Sequence, residues 1–403
     1  MELFWLEHKK LWRKKIVKIC VLLCFVYCVI FGSILSFQWF SFGSSDDYTS
    51  AFGNNFDGYT VIKDSQEYAL SFGGELTDET LQQIVSDYQQ MEADGMEEEL
   101  EKTDWQIVNS WLGTLYPELR DTSNYKTMIS YVDPDKLTGF YERRQQVLDE
   151  FLEVSGQVGA EKEYLHQIER KVEKPFHYEW VEGWSTLLGS MVADLGVVMA
   201  LFLGIVLSSL FAGEWHDNTS TLVLTTRNGW GEIALAKILT GLAFTVELFA
   251  LLAVSSIISQ LFFMGTAGWD MPIQNIKLIA VAPMNMLQAE IYEYAFVLLG
   301  AIGFAGIVMF ISAAVKNNVL ALLLSLAVVY GPMMIAEYLP YGMQKALDLI
   351  PMVGSSTDIF RTNTFRIWGK LIWSPYLLIT IPVLIGILCM PFAIKSWSRR
   401  MKA

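Results

Sequence analysis

Three ionisable side chains, Lys18, Asp194 and Glu247, stand inside otherwise apolar stretches of this 403-residue chain. A charge inside a lipid bilayer is costly, so such a residue is a functional candidate by default. Lys18 is close to the start of its stretch, where a long side chain can reach the headgroups, and we assign it no role. Asp194 and Glu247 are therefore the candidate pathway residues. The alternative for both is a hydrogen bond that packs helices together.

Motifs for nucleotide or covalent chemistry do not occur in the sequence. There is no Gly-rich loop ending in Gly-Lys-Ser/Thr, no His-Glu-x-x-His and no Gly-x-Ser-x-Gly. The four histidines have no zinc-ligand spacing. Cys20, Cys24 and Cys28 share one helical face. That face could serve a metal or redox site, but small apolar filler on a membrane helix is the more typical interpretation. We predict no enzyme activity, no catalytic residue, no metal and no cofactor in this chain.

The composition indicates a membrane protein with one acidic, soluble block. Hydrophobic residues make up 53% and charged residues 18% of the chain, whereas soluble domains have about 45–50% and about 25%. Residues 41–186 contain 30 acidic and 11 basic residues, a net charge of −19, and no cysteine. A disulfide framework is thus excluded for this block. A nucleic-acid-binding protein needs a basic surface, so we predict no nucleic-acid partner.

Six apolar runs are long enough to cross the hydrocarbon core as helices. They are residues 16–40, 187–212, 242–265, 294–315, 319–336 and 371–394. The first follows a basic segment, as a signal peptide does, but it is too long and has no cleavage site, so we expect an uncleaved anchor. The predicted fold class is an α-helical membrane protein with six transmembrane helices and a large, mostly helical extracellular domain inserted between spans one and two.

The predicted organisation has three parts. Residues 1–40 form the N-terminus and span one, residues 41–186 the acidic domain, and residues 187–403 a five-span membrane domain. With the N-terminus inside, the inside segments carry 12 Lys and Arg residues and the short outside loops carry 5. This asymmetry predicts a multi-pass protein of the cell membrane with both termini cytoplasmic and the acidic domain extracellular.

Local signals predict helices inside the acidic domain. Thr77 can cap a helix in which apolar residues recur at helical spacing. Residues 137–171 predict one or two further helices with a break near residues 156–159, where glycines interrupt the pattern.

The segment between the second and third spans, residues 213–236, is the most informative. It is short and polar, with Leu222 and Leu224 on an amphipathic stretch before a turn broken by glycine. One interpretation is an interfacial helix on the inner leaflet. The other is a docking helix that enters a groove on a partner protein.

This segment resembles the cytoplasmic coupling region of permeases of the second ATP-binding-cassette exporter type. The matching positions run from a Glu at the end of span two to a Lys that opens span three. They are Glu214, Thr219, Leu222, Leu224, Thr225, Thr226, Gly229 and Lys237. The departures from the family pattern are Asn218, Trp230 and the pair His216–Asp217. Residues 175–184 resemble the family's re-entry segment before span two, and residues 312–318 resemble its inner turn, particularly in versions from Gram-positive bacteria.

The resemblance implies the membrane subunit of an exporter that uses ATP hydrolysed by a separate chain. Two permease subunits, identical or different, would pair in membrane lipid and dock on a dimer of ATPase subunits that binds ATP and Mg²⁺. The implied coupling residues are Glu214, Thr219, Leu222, Leu224, Arg227 and Lys237. Residues 270–293 and 337–370 would form short re-entrant helices on the outer side.

The substrate stays open among peptides, lipids and drug-like compounds. The charge of −19 on the acidic domain favours cationic ligands, as in antimicrobial-peptide resistance. The main alternative is a membrane-anchored sensor or scaffold whose extracellular domain binds a peptide or a cell-envelope ligand, although the cytoplasmic loops are too short for a signalling domain. An ion-coupled carrier is a second alternative, but it should show more midplane charge and an internal repeat.

Overall fold

The computed structural model describes residues 2–37, 66, 73–96, 105–121, 126–188, 192–216, 231–354 and 361–399. Within these ranges the chain is mostly helical. In chain order the helices are α1 Glu2–Arg13, α2 Lys15–Phe37, α3 Asp78–Ala93, α4 Trp105–Leu115, α5 Phe140–Val154, α6 Ala160–Glu169, α7 Glu182–Thr186, α8 Val192–His216, α9 Glu232–Met264, α10 Met286–Ala314, α11 Asn318–Ile335, α12 Tyr341–Leu347 and α13 Ser374–Arg399. Two antiparallel strand pairs join β1 Gly74–Leu76 to β2 Phe176–Tyr178 and β3 Thr364–Ile367 to β4 Lys370–Trp373.

Five helices of the described chain are long and apolar enough to cross a membrane, namely α8, α9, α10, α11 and α13. They coincide with the last five predicted spans, which supports the prediction of a multi-pass, α-helical membrane protein. Helix α9 begins ten residues before its predicted span, and α10 begins eight residues before its own predicted span. Both extensions contain charged residues, which lower the hydropathy without breaking the helix. Residues 16–40 remain a predicted span, and their described part belongs to α2, which packs along α9.

Helix α10 is central in the bundle and packs against both α8 and α13. Its approach to α13 depends on glycine. A Cβ added at Gly303 would lie 2.3 Å from the carbonyl oxygen of Pro382, and one at Gly306 would lie 2.4 Å from that of Gly386. Any side chain at these positions would push the two helices apart. Small residues that let backbones touch are typical of helix pairs in membranes.

The two ends of the bundle carry different structures. At one end, which we call the α1 end, helix α1 lies across the first turns of α9. At the other end, which we call the block end, the acidic block meets the end of α9, where Trp180 Nε1 donates a hydrogen bond to the Met264 carbonyl at 3.1 Å.

The helices predicted within the acidic block are confirmed. The Thr77 hydroxyl caps α3 by accepting a hydrogen bond from the Thr80 amide at 3.2 Å. Helices α5 and α6 occupy the predicted region, and the non-helical residues 155–159 separate them. Trp111 of α4 is buried beside them, with its ring 6.3 Å from that of Phe140 on α5 and 5.5 Å from that of Tyr178 on β2.

A fully buried arginine fastens the acidic block to the bundle. Arg144 donates from Nε to the Leu278 carbonyl at 2.7 Å and from Nη2 to the Ala280 carbonyl at 3.2 Å. Its Nη1 pairs with Glu169 Oε1 at 2.5 Å, and Lys174 Nζ lies 2.9 Å from the same oxygen. Burial would raise the pKa of Glu169, but the hydrogen bonds from Arg144 and Lys174 outweigh it and hold that pKa below its ordinary value.

The re-entrant helix implied for residues 270–293 does not form. This segment contains a 3₁₀ turn at Ile273–Asn275 and a single β-bridge between Pro272 and Asn285. Asn285 then caps α10 in a capping box with Gln288, so the long helix starts inside the segment. In residues 337–370, the short helix α12 precedes the β3–β4 hairpin, and residues 355–360 lie outside the described part.

Candidate functional site

Two of the six predicted coupling residues, Glu214 and Lys237, are described by the structure. The other four, Thr219, Leu222, Leu224 and Arg227, lie outside the described residues, which resume at residue 231.

Glu214 and Lys237 form a buried ion pair at the α1 end. Glu214 is in the last turn of α8 and Lys237 in the second turn of α9, with side chains 3% and 1% exposed. Lys237 Nζ donates to Glu214 Oε1 at 2.8 Å. Because Glu214 is near the end of α8 and Lys237 near the start of α9, the pair joins the two helix ends that the predicted coupling segment connects.

Helix α1 adds one charge of each sign to this pair. Glu7 Oε2 lies 2.7 Å from Lys237 Nζ, and Lys10 Nζ lies 2.5 Å from Glu214 Oε1. The charges alternate along the chain of contacts, so each buried charge meets an opposite one and its desolvation cost is offset. We call these four residues the four-charge cluster. Lys14 extends it by donating to Ser209 Oγ on α8 at 3.1 Å.

The sequence of α1 explains how it reaches this position. Glu7 and Lys10 are three residues apart and therefore share a helical face. Leu11 is buried on the same side of the helix, whereas Trp5 and Leu6 are exposed. From the sequence, Lys10 contributed only to the predicted orientation, and Glu7 had no predicted role. Glu7 is an acid beside a run of bases and lies three residues from Lys10. This spacing was the signal that could have indicated a helical face on which charges are paired.

Of the two candidate pathway residues, the structure describes the side chain of Glu247 but not that of Asp194. Asp194 belongs to α8, and its side chain lies outside the described residues. Glu247 is 43% exposed and meets two side chains of α1, accepting from Trp12 Nε1 at 3.0 Å and lying 3.2 Å from His8 Nε2. These contacts correspond to the alternative interpretation, in which Glu247 packs helices together.

Two buried carboxylates in α10 were not predicted from the sequence. Glu290 and Glu293 are 3% and 0% exposed, and their spacing puts them on one face of the helix. None of their four carboxylate oxygens has a hydrogen-bond partner in the described structure. We call them the carboxylate pair. The prediction placed both in a loop because their charges ended the apolar window at Tyr294, although the surrounding residues are apolar or aromatic.

Polar side chains of α9 are buried at the same end of the bundle. Ser255, Ser256, Ser259 and Gln260 are each less than 10% exposed. The hydroxyls of Ser256 and Tyr294 lie 2.8 Å apart, which places this polar face of α9 against the turn of α10 that carries the carboxylate pair. Polar groups are therefore concentrated between α9 and α10 near the block end.

A polar cavity of about 320 Å³ lies above this region, between the acidic block and the first turn of α10. Its lining includes Lys171, Glu173, His177, Asp270, Asn285 and Gln288. Gln288 is in the turn that precedes Glu290 and Glu293, so the cavity and the carboxylate pair occupy successive turns of one helix.

In the described residues, no group of three or more His, Cys, Asp or Glu side chains is placed to hold a metal ion. Cys20, Cys24 and Cys28 are free thiols buried on one face of α2. Comparisons with known proteins found no matching family model, no similar curated protein and no similar solved structure.

Proposed function

We propose that this protein is the membrane-spanning permease subunit of an ATP-binding-cassette exporter for a peptide, a lipid or a drug-like substrate. In this proposal it crosses the cell membrane six times, keeps both termini in the cytoplasm and exposes residues 41–186 outside. The α1 end is then cytoplasmic. The observation that supports the proposal most directly is the four-charge cluster, because it sits where a partner ATPase would act.

The cluster gives the coupling segment a mechanical connection to the pathway. Ion pairs join α1, the end of α8 and the start of α9, so a displacement of residues 217–230 would move these three elements together. Helix α8 also packs along α10, which extends the connection to the centre of the bundle. A partner dimer can bias such an arrangement only by contacting its two states differently.

The proposal divides the coupling residues into two groups. Thr219, Leu222, Leu224 and Arg227 would contact the ATPase dimer, which binds ATP and Mg²⁺. Glu214 and Lys237 are too buried to meet a partner directly, so they act as positioning residues that hold the ends of the segment. A second permease subunit, identical or different, would complete the pathway.

Purification from the native membrane tests this proposal. We expect an ATPase subunit to copurify in mild detergent, and Leu222→Ala combined with Leu224→Ala to release it or to uncouple ATP hydrolysis from transport. Leu239→Ala is the matched control, because Leu239 is a largely exposed leucine of α9. A chain that purifies without any nucleotide-dependent partner would contradict the proposal.

One observation favours the alternative, a membrane-anchored sensor or scaffold that binds a peptide or cell-envelope ligand. Arg144 holds the Leu278 and Ala280 carbonyls in the segment that leads into α10, so a ligand on the acidic block could shift a membrane helix directly. The two functions are distinguished in proteoliposomes. A sensor would change the proteolytic protection of α10 when ligand is added without any ATPase, whereas an exporter requires ATP and the partner to move substrate.

A further inference from the structure

The carboxylate pair differs from every other buried acid of the described chain in its surroundings. Glu169 and Glu214 each meet at least two cationic side chains. In contrast, neither Glu290 nor Glu293 takes part in an ion pair in the described structure, and the side chain that acts on Glu290 as a donor, Tyr294, is neutral. Two carboxylates buried on one helical face, without a cationic partner, carry a large desolvation cost, which is offset when a cation joins them.

The groups that surround the pair supply no such cation. Glu290 and Glu293 act electrostatically on each other, and the neighbouring titratable groups are Tyr294 on α10 and, next to it, Cys28 on α2. The Tyr294 hydroxyl lies 2.8 Å from that of Ser256 on α9 and also acts on Glu290, but it is neutral. The described surroundings therefore offer hydroxyls, a thiol, the carboxamide of Gln260 and apolar surface, but no ammonium or guanidinium group.

The geometry specifies what kind of cation would fit. Carboxylates at positions i and i+3 of a helix are neighbours, with about 5–6 Å between their Cβ atoms, so one cation can contact both. Four unpaired acceptor oxygens call for N–H donors, of which a primary ammonium has three and a guanidinium five. The site lies within a helix long and apolar enough to span the membrane, so the rest of the ligand must be apolar.

We propose that Glu290 and Glu293 bind the primary ammonium or guanidinium group of an amphiphilic substrate, with its apolar part among the membrane helices. This assignment names the substrate class of the proposed exporter and rests on that function for its physiological meaning. The polar cavity above the first turn of α10, with Glu173 and Asp270 in its lining, lies on the side from which a cation would reach or leave the pair.

Binding to the purified full chain tests the assignment without any ATPase. The chain is placed in phosphatidylcholine nanodiscs in phosphate buffer, and radiolabelled n-octylammonium is the probe, with empty nanodiscs as the blank. We expect saturable binding that weakens at least tenfold in the Glu290→Gln/Glu293→Gln double variant. Glu337→Gln, which changes an exposed carboxylate at the end of α11, serves as the matched control and should bind like the unaltered chain.

Three outcomes would overturn the assignment. They are equal binding by the double variant, equal competition by neutral n-octanol, and equal competition by n-octyltrimethylammonium, which has no N–H donor. Failure of an ATPase to copurify would count against the exporter but would leave this binding result intact, so the two proposals fail separately.

A second measurement uses the unaltered chain, in case the double variant does not fold. N,N′-dicyclohexylcarbodiimide modifies carboxyl groups in apolar surroundings, and mass spectrometry locates the modified residue. We expect n-octylammonium to slow modification of Glu290 or Glu293 at least fivefold, and n-octanol to have no such effect. Identical rates with and without n-octylammonium would overturn the assignment.

Discussion

The two ends of the bundle treat buried charge in opposite ways. At the α1 end, four residues from three helices alternate in sign, and each buried charge has an opposite one within 2.8 Å. At the block end, two carboxylates of one helix are buried together, and their oxygens have no partner in the described structure. Glu214 and Lys237 are as fully buried as Glu290 and Glu293, so burial alone does not distinguish the two sites.

The difference indicates different tasks. A compensated cluster is costly to disrupt once formed, because removal of one partner leaves another charge buried and alone. Such a cluster suits a fixed joint between helices. An uncompensated pair is unfavourable until a ligand or proton neutralises it, so it suits a site that is occupied and vacated. Charge variants at each end can test this contrast.

The largest effect is expected for Lys237→Met. This change removes the buried counter-charge of Glu214 and the partner of Glu7 within the four-charge cluster. Loss of a buried ion-pair partner costs about 3–5 kcal/mol of unfolding free energy. Chemical denaturation in mixed micelles measures it. Lys277→Met, at an exposed lysine, is the control, and a cost below about 1 kcal/mol at position 237 would show that the cluster is not a joint.

The next-largest loss of stability is expected at Glu169, a buried carboxylate with cationic partners that lies outside the membrane helices. We expect Glu169→Gln to cost about 3 kcal/mol at pH 7, because Arg144 then loses its buried counter-charge. The lowered pKa of Glu169 also predicts a pH dependence. Its stabilising effect is complete above the unfolded-state pKa of about 4.3 and is lost as the pH falls through the lower folded-state pKa.

Hydrogen-exchange protection of α5 and α6 measures both effects of Glu169. The unaltered chain should lose protection below about pH 4, and the Glu169→Gln variant should lack that component. Glu163→Gln is the control on the same helix, at a carboxylate that is largely exposed in its contact with Arg170. The same acid-dependent loss in both the variant and the unaltered chain would exclude Glu169 as its source.

At the block end, removal of buried charge is expected to change the free energy of unfolding in the opposite direction. Without a bound amine, Glu290→Gln/Glu293→Gln removes two uncompensated carboxylates while keeping the shape of the side chains. The free energy of unfolding should stay constant or rise by about 1–2 kcal/mol. The experiment needs phosphate buffer, because amine buffers would occupy the proposed site. A loss comparable to that of Lys237→Met would break the comparison, since it would mean that the folded chain already compensates both charges.

Hydropathy was sufficient to locate the five helices that could span the membrane, because each presents a long apolar run. It failed at the starts of α9 and α10, where Glu232, Lys237, Glu290 and Glu293 lie inside helices. A charge lowers the window average whether or not tertiary structure buries it. The carboxylate pair was lost for that reason, since its burial depends on packing against α9 and not on its own sequence neighbourhood.

The four-charge cluster was predictable only in part. Glu214 and Lys237 were found through the family resemblance, and their pairing across residues 217–230 follows from the short connection between α8 and α9. Their contacts with Glu7 and Lys10 join residues more than 200 positions apart. Spacing along a chain carries no information about such contacts, because they depend on how α1 folds back onto the bundle.

The smallest predicted effect tests whether Glu247 belongs to the joint at the α1 end. Its carboxylate is 43% exposed and accepts a hydrogen bond from Trp12 Nε1 at 3.0 Å. Exposed charge contacts contribute less than about 1 kcal/mol, so Glu247→Gln should change stability far less than Lys237→Met. A double-mutant cycle with Trp12→Phe should give a small coupling energy of favourable sign. If Glu247→Gln instead abolished substrate transport at unchanged stability, Glu247 would have the pathway role that its position in an apolar run indicates, and the α1 end would carry both a joint and a transport site.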